Sequence, residues 1–211
     1  MNNRYKKVAL SLSLMLILLW GLLGAGASLA WFADTDEGVK NVFHFAEFDL
    51  EVYHRLDNGQ WEEIRQDTRI FDDDALYEPG YTQVVYLKIE NKGTVPFDFK
   101  AAVTVTDYTW ATNVLGQKFS LQEYLKFGVV IADEEDELLQ KMADRELANQ
   151  AANMPLSRYA TEKAPLDAKD TVYMAIIVRM PEEVDNVANY RGDVIPRVEL
   201  GLIVTATQQD G

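Results

Sequence analysis

Cysteine is absent from this 211-residue chain, and histidine occurs only twice, at His44 and His54. Without cysteine no disulfide can form, and a zinc site, which usually draws on histidine or cysteine ligands, has few residues to use. The sequence also has no His-Glu-x-x-His pair, no phosphate-binding glycine loop and no recognisable nucleophile motif. It therefore predicts no catalytic residue, no bound metal and no cofactor.

Positive charge is scarce as well. The chain has 20 lysine and arginine residues against 34 aspartate and glutamate residues, which gives a formal net charge of −14. Residues 1–30 hold three of the bases and none of the acids, so the remainder, with 17 bases and 34 acids, carries −17. A surface this acidic repels nucleic acid and anionic lipid, and we expect no nucleic-acid partner.

Two acidic runs, residues 72–74 and 133–137, are candidates for a cation site. Calcium needs clustered oxygen ligands, but residues 72–74 lack the spacing of a known calcium loop. A solvated turn explains the first run, and the charged start of a helix explains the second. His44 and Glu47 are three residues apart in a strand-like stretch, so their side chains are expected on opposite faces.

The first 30 residues fall into three zones. Arg4, Lys6 and Lys7 form a basic start, residues 8–23 are almost wholly apolar, and the small residues GAGASLA follow. This order is typical of a secretory signal peptide. An uncleaved membrane anchor is the alternative, because residues 8–30 just reach the length of about 20 apolar residues that a spanning helix needs. Glycines at positions 21, 24 and 26 weaken the end of that helix and favour cleavage.

The cleavage site depends on small side chains at the last and third-last positions before the cut. Ser28 and Ala30 meet this requirement for a cut before Trp31, and Ala25 and Ala27 offer a second site before Ser28. The mature chain of about 180 residues is long enough for one domain with a real core. We expect it to be secreted into the extracellular matrix or held at the cell surface.

Alternation of apolar and polar residues in the middle of the chain indicates strands buried on one face. Val85, Leu87 and Ile89 form one series, and residues 97–105 form another after the loop Asn-Lys-Gly-Thr. Two such strands are neighbours in an antiparallel sheet or face each other across a sandwich, and the pattern leaves both arrangements open.

The remaining elements follow from the same patterns. Strands are predicted at residues 41–52 with a bulge near position 46, at 61–64, at 125–131, at 171–180 and at 198–206. The segment 171–180 is apolar on nearly both faces, which is typical of a central buried strand. A capping box predicts a short helix from Ser120 to Glu123, and Pro181 begins another. A longer helix is predicted over residues 133–149, with an apolar face formed by Leu138, Met142, Ala143, Leu147 and Ala151.

Many short strands with few helices predict an all-β fold with helical insertions, a jelly-roll-like antiparallel β-sandwich. The expected layout is a signal peptide over residues 1–30, an N-terminal arm over 31–46 and a sandwich domain over 47–211. The helical insertion lies near residues 133–152.

Three blocks of the sequence carry motifs that identify a family. The first block, AWFADTDEGVKNVFHFAEFDLEV, contains the matching residues Phe32, Asp34, Thr35, Asn41, Phe43, Phe48, Asp49 and Leu50. The second is YEPGYTQVVYLKIENKGTVPFDFKAAV, and the third is MPEEVDNVANYRG followed by a final strand that ends in ATQ. In this order the blocks resemble TasA/camelysin-like proteins of Gram-positive bacteria. Ala46-Glu47 departs from the family, which usually has Gly-Thr there.

The resemblance implies a jelly-roll domain, cleavage by a signal peptidase of the SipW type, and self-assembly into homopolymeric biofilm-matrix fibres. Assembly would proceed by donor-strand complementation, in which the freed arm of one subunit pairs with the sheet of the next. The implied arm residues are Phe32, Asp34, Thr35, Asn41, Phe43 and Phe45, of which the last two would fill apolar pockets. A minor matrix protein that anchors the fibre is also compatible with the resemblance.

Alternatives remain. Residues 41–46 can pair within their own subunit and leave the protein monomeric, as a cell-surface adhesin or accessory protein. The same family includes camelysin, described as a cell-surface metallopeptidase, although the usual zinc-binding pattern is missing here.

Overall fold

Two β-sheets enclose the main core of this computed structural model. The structure describes residues 49–65, 67–72, 75, 77–156 and 164–207, together with the main chain of residues 42–44 and 208. None of the helices in these ranges is both long and apolar enough to cross a membrane. The strands are β1 (Val42–His44), β2 (Leu50–Arg55), β3 (Trp61–Glu63), β4 (Thr82–Asn91), β5 (Phe97–Tyr108), β6 (Ala111–Thr112), β7 (Lys118–Phe119), β8 (Lys126–Ala132), β9 (Met154–Pro155), β10 (Ala164–Leu166), β11 (Thr171–Arg179) and β12 (Val198–Gln208).

The larger sheet has the strand order β3-β2-β4-β11-β8-β9, and the smaller one has the order β1-β12-β5-β10. Strands β6 and β7 form a separate hairpin. Every pairing in the two large sheets is antiparallel except that of β1 with β12. The prediction of an all-β fold with small helical insertions is confirmed.

Strands β4 and β5 lie in different sheets, so the sandwich arrangement of the two predicted middle strands is the correct one. Leu87 and Ile89 of β4 belong to the same buried cluster as Phe97 and Phe99 of β5. The loop between the strands therefore carries the chain from one sheet to the other. Gly59 lies in the turn after β2, and its φ of +84° is a conformation that favours glycine.

Strand β11 is the central strand of the larger sheet, as its apolar sequence predicts. It pairs with β4 on one side and with β8 on the other. Met174 and Ile176 enter the core between the sheets, whereas Ala175 and Ile177 belong to a second cluster on the opposite face. Helices cover that opposite face, which explains why the strand needs apolar residues at consecutive positions.

The helical insertion consists of two helices, α1 (Glu135–Met142) and α2 (Arg145–Ala151). The prediction of one continuous helix was wrong because Asp144 starts a new helix: its carboxylate accepts a hydrogen bond from the Glu146 amide at 2.9 Å. The break changes which residues face the sheet. Leu147 is 47% exposed and Ala143 is exposed, whereas Ala148 is buried.

Two 3₁₀ helices occupy the other predicted helical sites, at Leu121–Glu123 and at Glu182–Val187. The Glu123 carboxylate accepts a hydrogen bond from the Ser120 amide at 3.0 Å. Ser120 and Glu123 thus form the predicted capping box at the start of the first of these helices.

Asn91 fixes the crossover between the sheets. Its amide nitrogen donates to the carbonyls of Val95 and Asp167, both at 2.9 Å, and its carbonyl accepts from the Gly93 amide at 3.0 Å. The side chain is buried, so water cannot replace these bonds. The Asn-x-Gly-Thr motif thus has a structural role, because it ties the end of β4 to the start of β5.

We expect Asn91→Ala to lower the free energy of unfolding by at least about 2 kcal/mol, since each buried group left unpaired costs about 1–3 kcal/mol. Thermal unfolding followed by circular dichroism measures this change. Asn58→Ala is the matched control, because Asn58 makes similar hydrogen bonds in an exposed turn. Equal stability losses in the two variants would contradict the role of Asn91.

Candidate functional site

The outer edge of β12 is one edge of the described fold that is open to a further strand. β12 has 11 residues, and β5 pairs with it along its whole length on the inner side. On the outer side, the only described strand is the three-residue β1, opposite Ile203, Val204 and Thr205. A sheet edge that is covered this briefly can accept backbone hydrogen bonds from another strand.

β1 shows how a strand sits on this edge. It runs parallel to β12, with Val42 opposite Ile203, Phe43 opposite Val204 and His44 opposite Thr205. Val204, which lies opposite Phe43 in this register, is fully buried in the core. Residues 42–44 therefore pair within their own subunit in this structure. The sequence left this arrangement open as the alternative to pairing between subunits.

Of the predicted arm residues, the structure places only the main chain of Phe43. Phe32, Asp34, Thr35, Asn41 and Phe45 lie outside the described residues, as do the predicted cleavage residues Ser28, Ala30 and Trp31. The sequence analysis did not identify the outer edge of β12 as a surface that could accept a further strand. An edge strand and an inner strand of a sandwich show the same alternation, so the sequence of β12 carries no signal for its position.

His54 is the histidine nearest to a possible chemical role. It lies near the end of β2 and is buried. Its Nε2 is 3.4 Å from Oε2 of Glu62, the residue opposite it on β3. This nitrogen is buried and makes no hydrogen bond to the described part of the chain. It borders a wide groove of about 1260 Å³, which Trp61, Arg65 and Arg69 also line.

The described residues contain no group of three or more His, Cys, Asp or Glu side chains that could hold a metal ion. His54 and Glu62 supply two donors, and a catalytic zinc needs three protein ligands. The described part of the chain therefore offers no observation that favours a metallopeptidase.

A second polar cluster lies on the outer face of the larger sheet. Lys88 Nζ lies 2.7 Å from Glu90 Oε1 and 4.2 Å from the centre of the Tyr53 ring. Burial acts to raise the pKa of Glu90, but hydrogen bonds and attraction from Lys88 and Lys92 outweigh it, and the pKa is lowered. Tyr53 donates a hydrogen bond to Glu51 at 2.5 Å, and this bond raises the pKa of Tyr53 to about 12.

These two shifts keep Glu90 ionised and Tyr53 neutral at neutral pH. A general acid or base needs a pKa near the working pH, and both groups move away from it. The cluster therefore stabilises paired charges on the sheet surface and is not arranged for proton transfer.

Comparisons with known proteins add little to this geometry. No family model matches the sequence, and no curated protein matches it. A solved structure of a family 123 glycoside hydrolase from Clostridium perfringens overlaps 61% of this chain at 10% identity, with a TM-score of 0.25. This chain spans 21% of the length of that enzyme. A likeness this weak carries no argument about fold or activity.

Proposed function

We propose that this chain is a secreted structural subunit that assembles into extracellular fibres by donating its N-terminal strand to the next subunit. The observation that carries the proposal is the pairing of β1 with the outer edge of β12. The resemblance to TasA/camelysin-like proteins supports the same function.

The pairing can be made within one subunit or between two. Residues 42–44 of a neighbour, placed on the same edge in the same register, would make the same backbone hydrogen bonds. Exchange of an identical element between subunits is a low-cost route to assembly, because no new surface has to be created. β1 and β2 belong to different sheets, so the rest of the domain does not require β1 to stay with its own subunit.

The short length of β1 favours exchange. Three paired residues contribute few hydrogen bonds. Within one subunit the connecting chain holds β1 near its own edge at an effective concentration in the millimolar range, and β1 of a neighbouring subunit competes against that concentration. A high local concentration outside the cell would therefore shift the pairing toward neighbours. The donor and acceptor surfaces lie on different parts of the chain, so each added subunit leaves a free edge and a filament grows.

Proteolysis would control the start of assembly. While residue 31 is joined to the apolar residues 8–23, the arm is held at the membrane. Cleavage before Trp31 by a signal peptidase of the SipW type frees it. The mature charge of −17 opposes close packing, so acid or divalent cations would promote assembly by reducing repulsion.

The test is electron microscopy of the exported protein, combined with mass spectrometry of its N-terminus and small-angle X-ray scattering over a range of concentrations. We expect an N-terminus at Trp31 and filaments whose yield rises with concentration. Single particles at every concentration would favour the monomeric adhesin or accessory protein instead. Casein digestion that a chelator blocks would favour the peptidase.

A further inference from the structure

The turn between β2 and β3 contains a chemically labile pair of residues. Asn58 is followed by Gly59, whereas each of the other nine asparagines in the chain is followed by a residue with a side chain. Asparagine is a thermolabile residue, because the next main-chain nitrogen can attack its side-chain amide. A glycine has no Cβ to obstruct that attack. Asn58 is therefore the asparagine of this chain whose amide is lost most easily when the backbone is free to move.

The turn has a defined backbone and is open to water. The Gly59 amide donates to the Leu56 carbonyl at 2.9 Å, and the Leu56 amide donates to the Gln60 carbonyl at 2.8 Å. With the positive φ of Gly59, these bonds form a three-residue hairpin loop with a glycine bulge. Asp57, Asn58 and Gln60 are all exposed. Water, which is a reactant in the loss of the amide, can therefore reach Asn58.

Hydrogen bonds of the turn occupy both reacting groups. The attacking nitrogen is that of Gly59, and its proton is held by the Leu56 carbonyl. The Asn58 side chain bonds to Gln60 in two ways: Oδ1 accepts from the main-chain amide at 2.9 Å, and Nδ2 donates to Oε1 at 2.9 Å. The nitrogen must release its proton and the side chain must be free to close a ring. The closed turn therefore opposes the reaction that its sequence favours.

We propose that Asn58 is a deamidation site and that opening of the β2–β3 turn sets the rate of the reaction. In the closed turn both reacting groups are held, and in the open turn they react as they do in an unfolded chain. Exposed turns open locally at a free energy well below that of global unfolding, so the reaction proceeds in the folded protein. The proposal applies equally to a single subunit and to a fibre, and it does not rest on the proposed function.

The reaction needs only water and base. The Gly59 nitrogen gives its proton to hydroxide, and its electron pair forms a bond to Cγ of Asn58. The bond from Cγ to Nδ2 then breaks, and Nδ2 takes up a proton and leaves as ammonia. Water opens the resulting succinimide ring at one of its two carbonyls. Opening at Cγ gives aspartate, and opening at the main-chain carbonyl gives isoaspartate.

Neither product fits the turn as asparagine does. Both replace the Nδ2 donor with a carboxylate oxygen, which cannot donate to Oε1 of Gln60 and adds a negative charge beside Asp57. Isoaspartate also inserts a methylene group into the main chain before Gly59. β3 has three residues and lies at the edge of the larger sheet, paired with β2. We therefore expect the modification to loosen β3 from β2.

Peptide mapping by mass spectrometry measures the conversion of Asn58 over time in the full-length chain. We expect the first conversion at Asn58, and a rate that rises with pH because the attacking nitrogen must lose its proton. The folded chain should convert at least about tenfold more slowly than the same chain unfolded in guanidinium chloride, since the turn has to open first. Isoaspartate and aspartate products have the same mass and are separated by chromatography.

Gln60→Ala tests the control of the rate by the turn. It removes the partner of Asn58 Nδ2 and leaves the bond between Gly59 and Leu56 in place. Loss of one hydrogen bond should make the folded chain convert about twofold to tenfold faster. Gln150→Ala is the matched control, because Gln150 is an exposed glutamine of α2 and its loss should leave the rate unchanged. In guanidinium chloride all three chains should convert at one rate.

The outcomes separate the site from its control. First conversion at another asparagine, or no conversion at Asn58 of the folded chain while the unfolded chain converts, would overturn the site. Equal rates in the folded and unfolded chains would overturn control by the turn, as would equal rates in folded Gln60→Ala and Gln150→Ala. Asn58→Ser removes the amide, so the mass change in the peptide that spans the turn should disappear. Its persistence would place the reaction at a different residue.

Discussion

A chain that begins at Asp49 is expected to stay monomeric at concentrations where the chain that begins at Trp31 forms filaments. The deletion removes β1 and all preceding residues, so no donor strand remains for the edge of β12. The shortened chain keeps every buried core residue of the described structure, from Leu50 onward, so it is expected to fold. Electron microscopy measures the loss of filaments, and circular dichroism checks the fold.

The matched control keeps the length of the arm and removes its side chains. In this chain residues 31–41 are replaced by glycine and serine, while Val42, Phe43 and His44 are retained. Comparison of the two chains separates the contribution of β1 from that of the preceding segment. A synthetic peptide of residues 31–48 should bind the shortened chain in a one-to-one ratio and raise its melting temperature. Filaments formed by the chain that begins at Asp49 would refute strand donation.

Gly128→Ala is expected to destabilise the domain without affecting the edge of β12. Gly128 lies in β8, and a Cβ at this position would lie 2.1 Å from the carbonyl oxygen of Ala151 at the end of α2. The obstacle is backbone, so the helix or the sheet must shift. Overpacking of this kind costs about 1–3 kcal/mol, which corresponds to a fall in melting temperature of about 2–12 °C for a domain of this size.

Thermal unfolding by circular dichroism measures this fall. Ala143→Ser is the control, because Ala143 is an exposed residue of the same insertion and a small change there is expected to shift stability by less than about 0.5 kcal/mol. The larger sheet carries Gly128 and the smaller sheet carries β12. Gly128→Ala should therefore leave filament yield unchanged below its melting temperature. An unchanged melting temperature would show that α2 does not pack as closely on β8 as described.

Local patterns in the sequence predicted the strands well because each depends on neighbours in the chain. Val85, Leu87 and Ile89 alternate in sequence, and all three are buried on one face of β4. The helical insertion was predicted less well. A 3.6-residue period extends across residues 133–149, but Asp144 interrupts it with its own hydrogen bonds, and no periodicity reports that competition.

The candidate site could not be predicted from the sequence for a related reason. The outer edge of β12 depends on which strand pairs with its inner side, and that pairing joins residues far apart in the chain, such as Tyr108 and Val198. His44 and His54 show why a metal site should not be assigned from the presence of histidine alone. They are the only two histidines in the chain, yet His54 faces one carboxylate and the described residues give it no further metal ligand.

The sequence by itself determined the strand-forming alternation, the acidic charge and the apolar run at residues 8–23, since these properties depend on composition and on neighbouring residues. Only the tertiary structure decided that β4 and β5 lie in opposite sheets, that β1 pairs in parallel with β12, and that residues 108–115 meet residues 190–195. Strand partners are chosen by packing and hydrogen bonding between distant segments, and one-face alternation is the same for many possible partners.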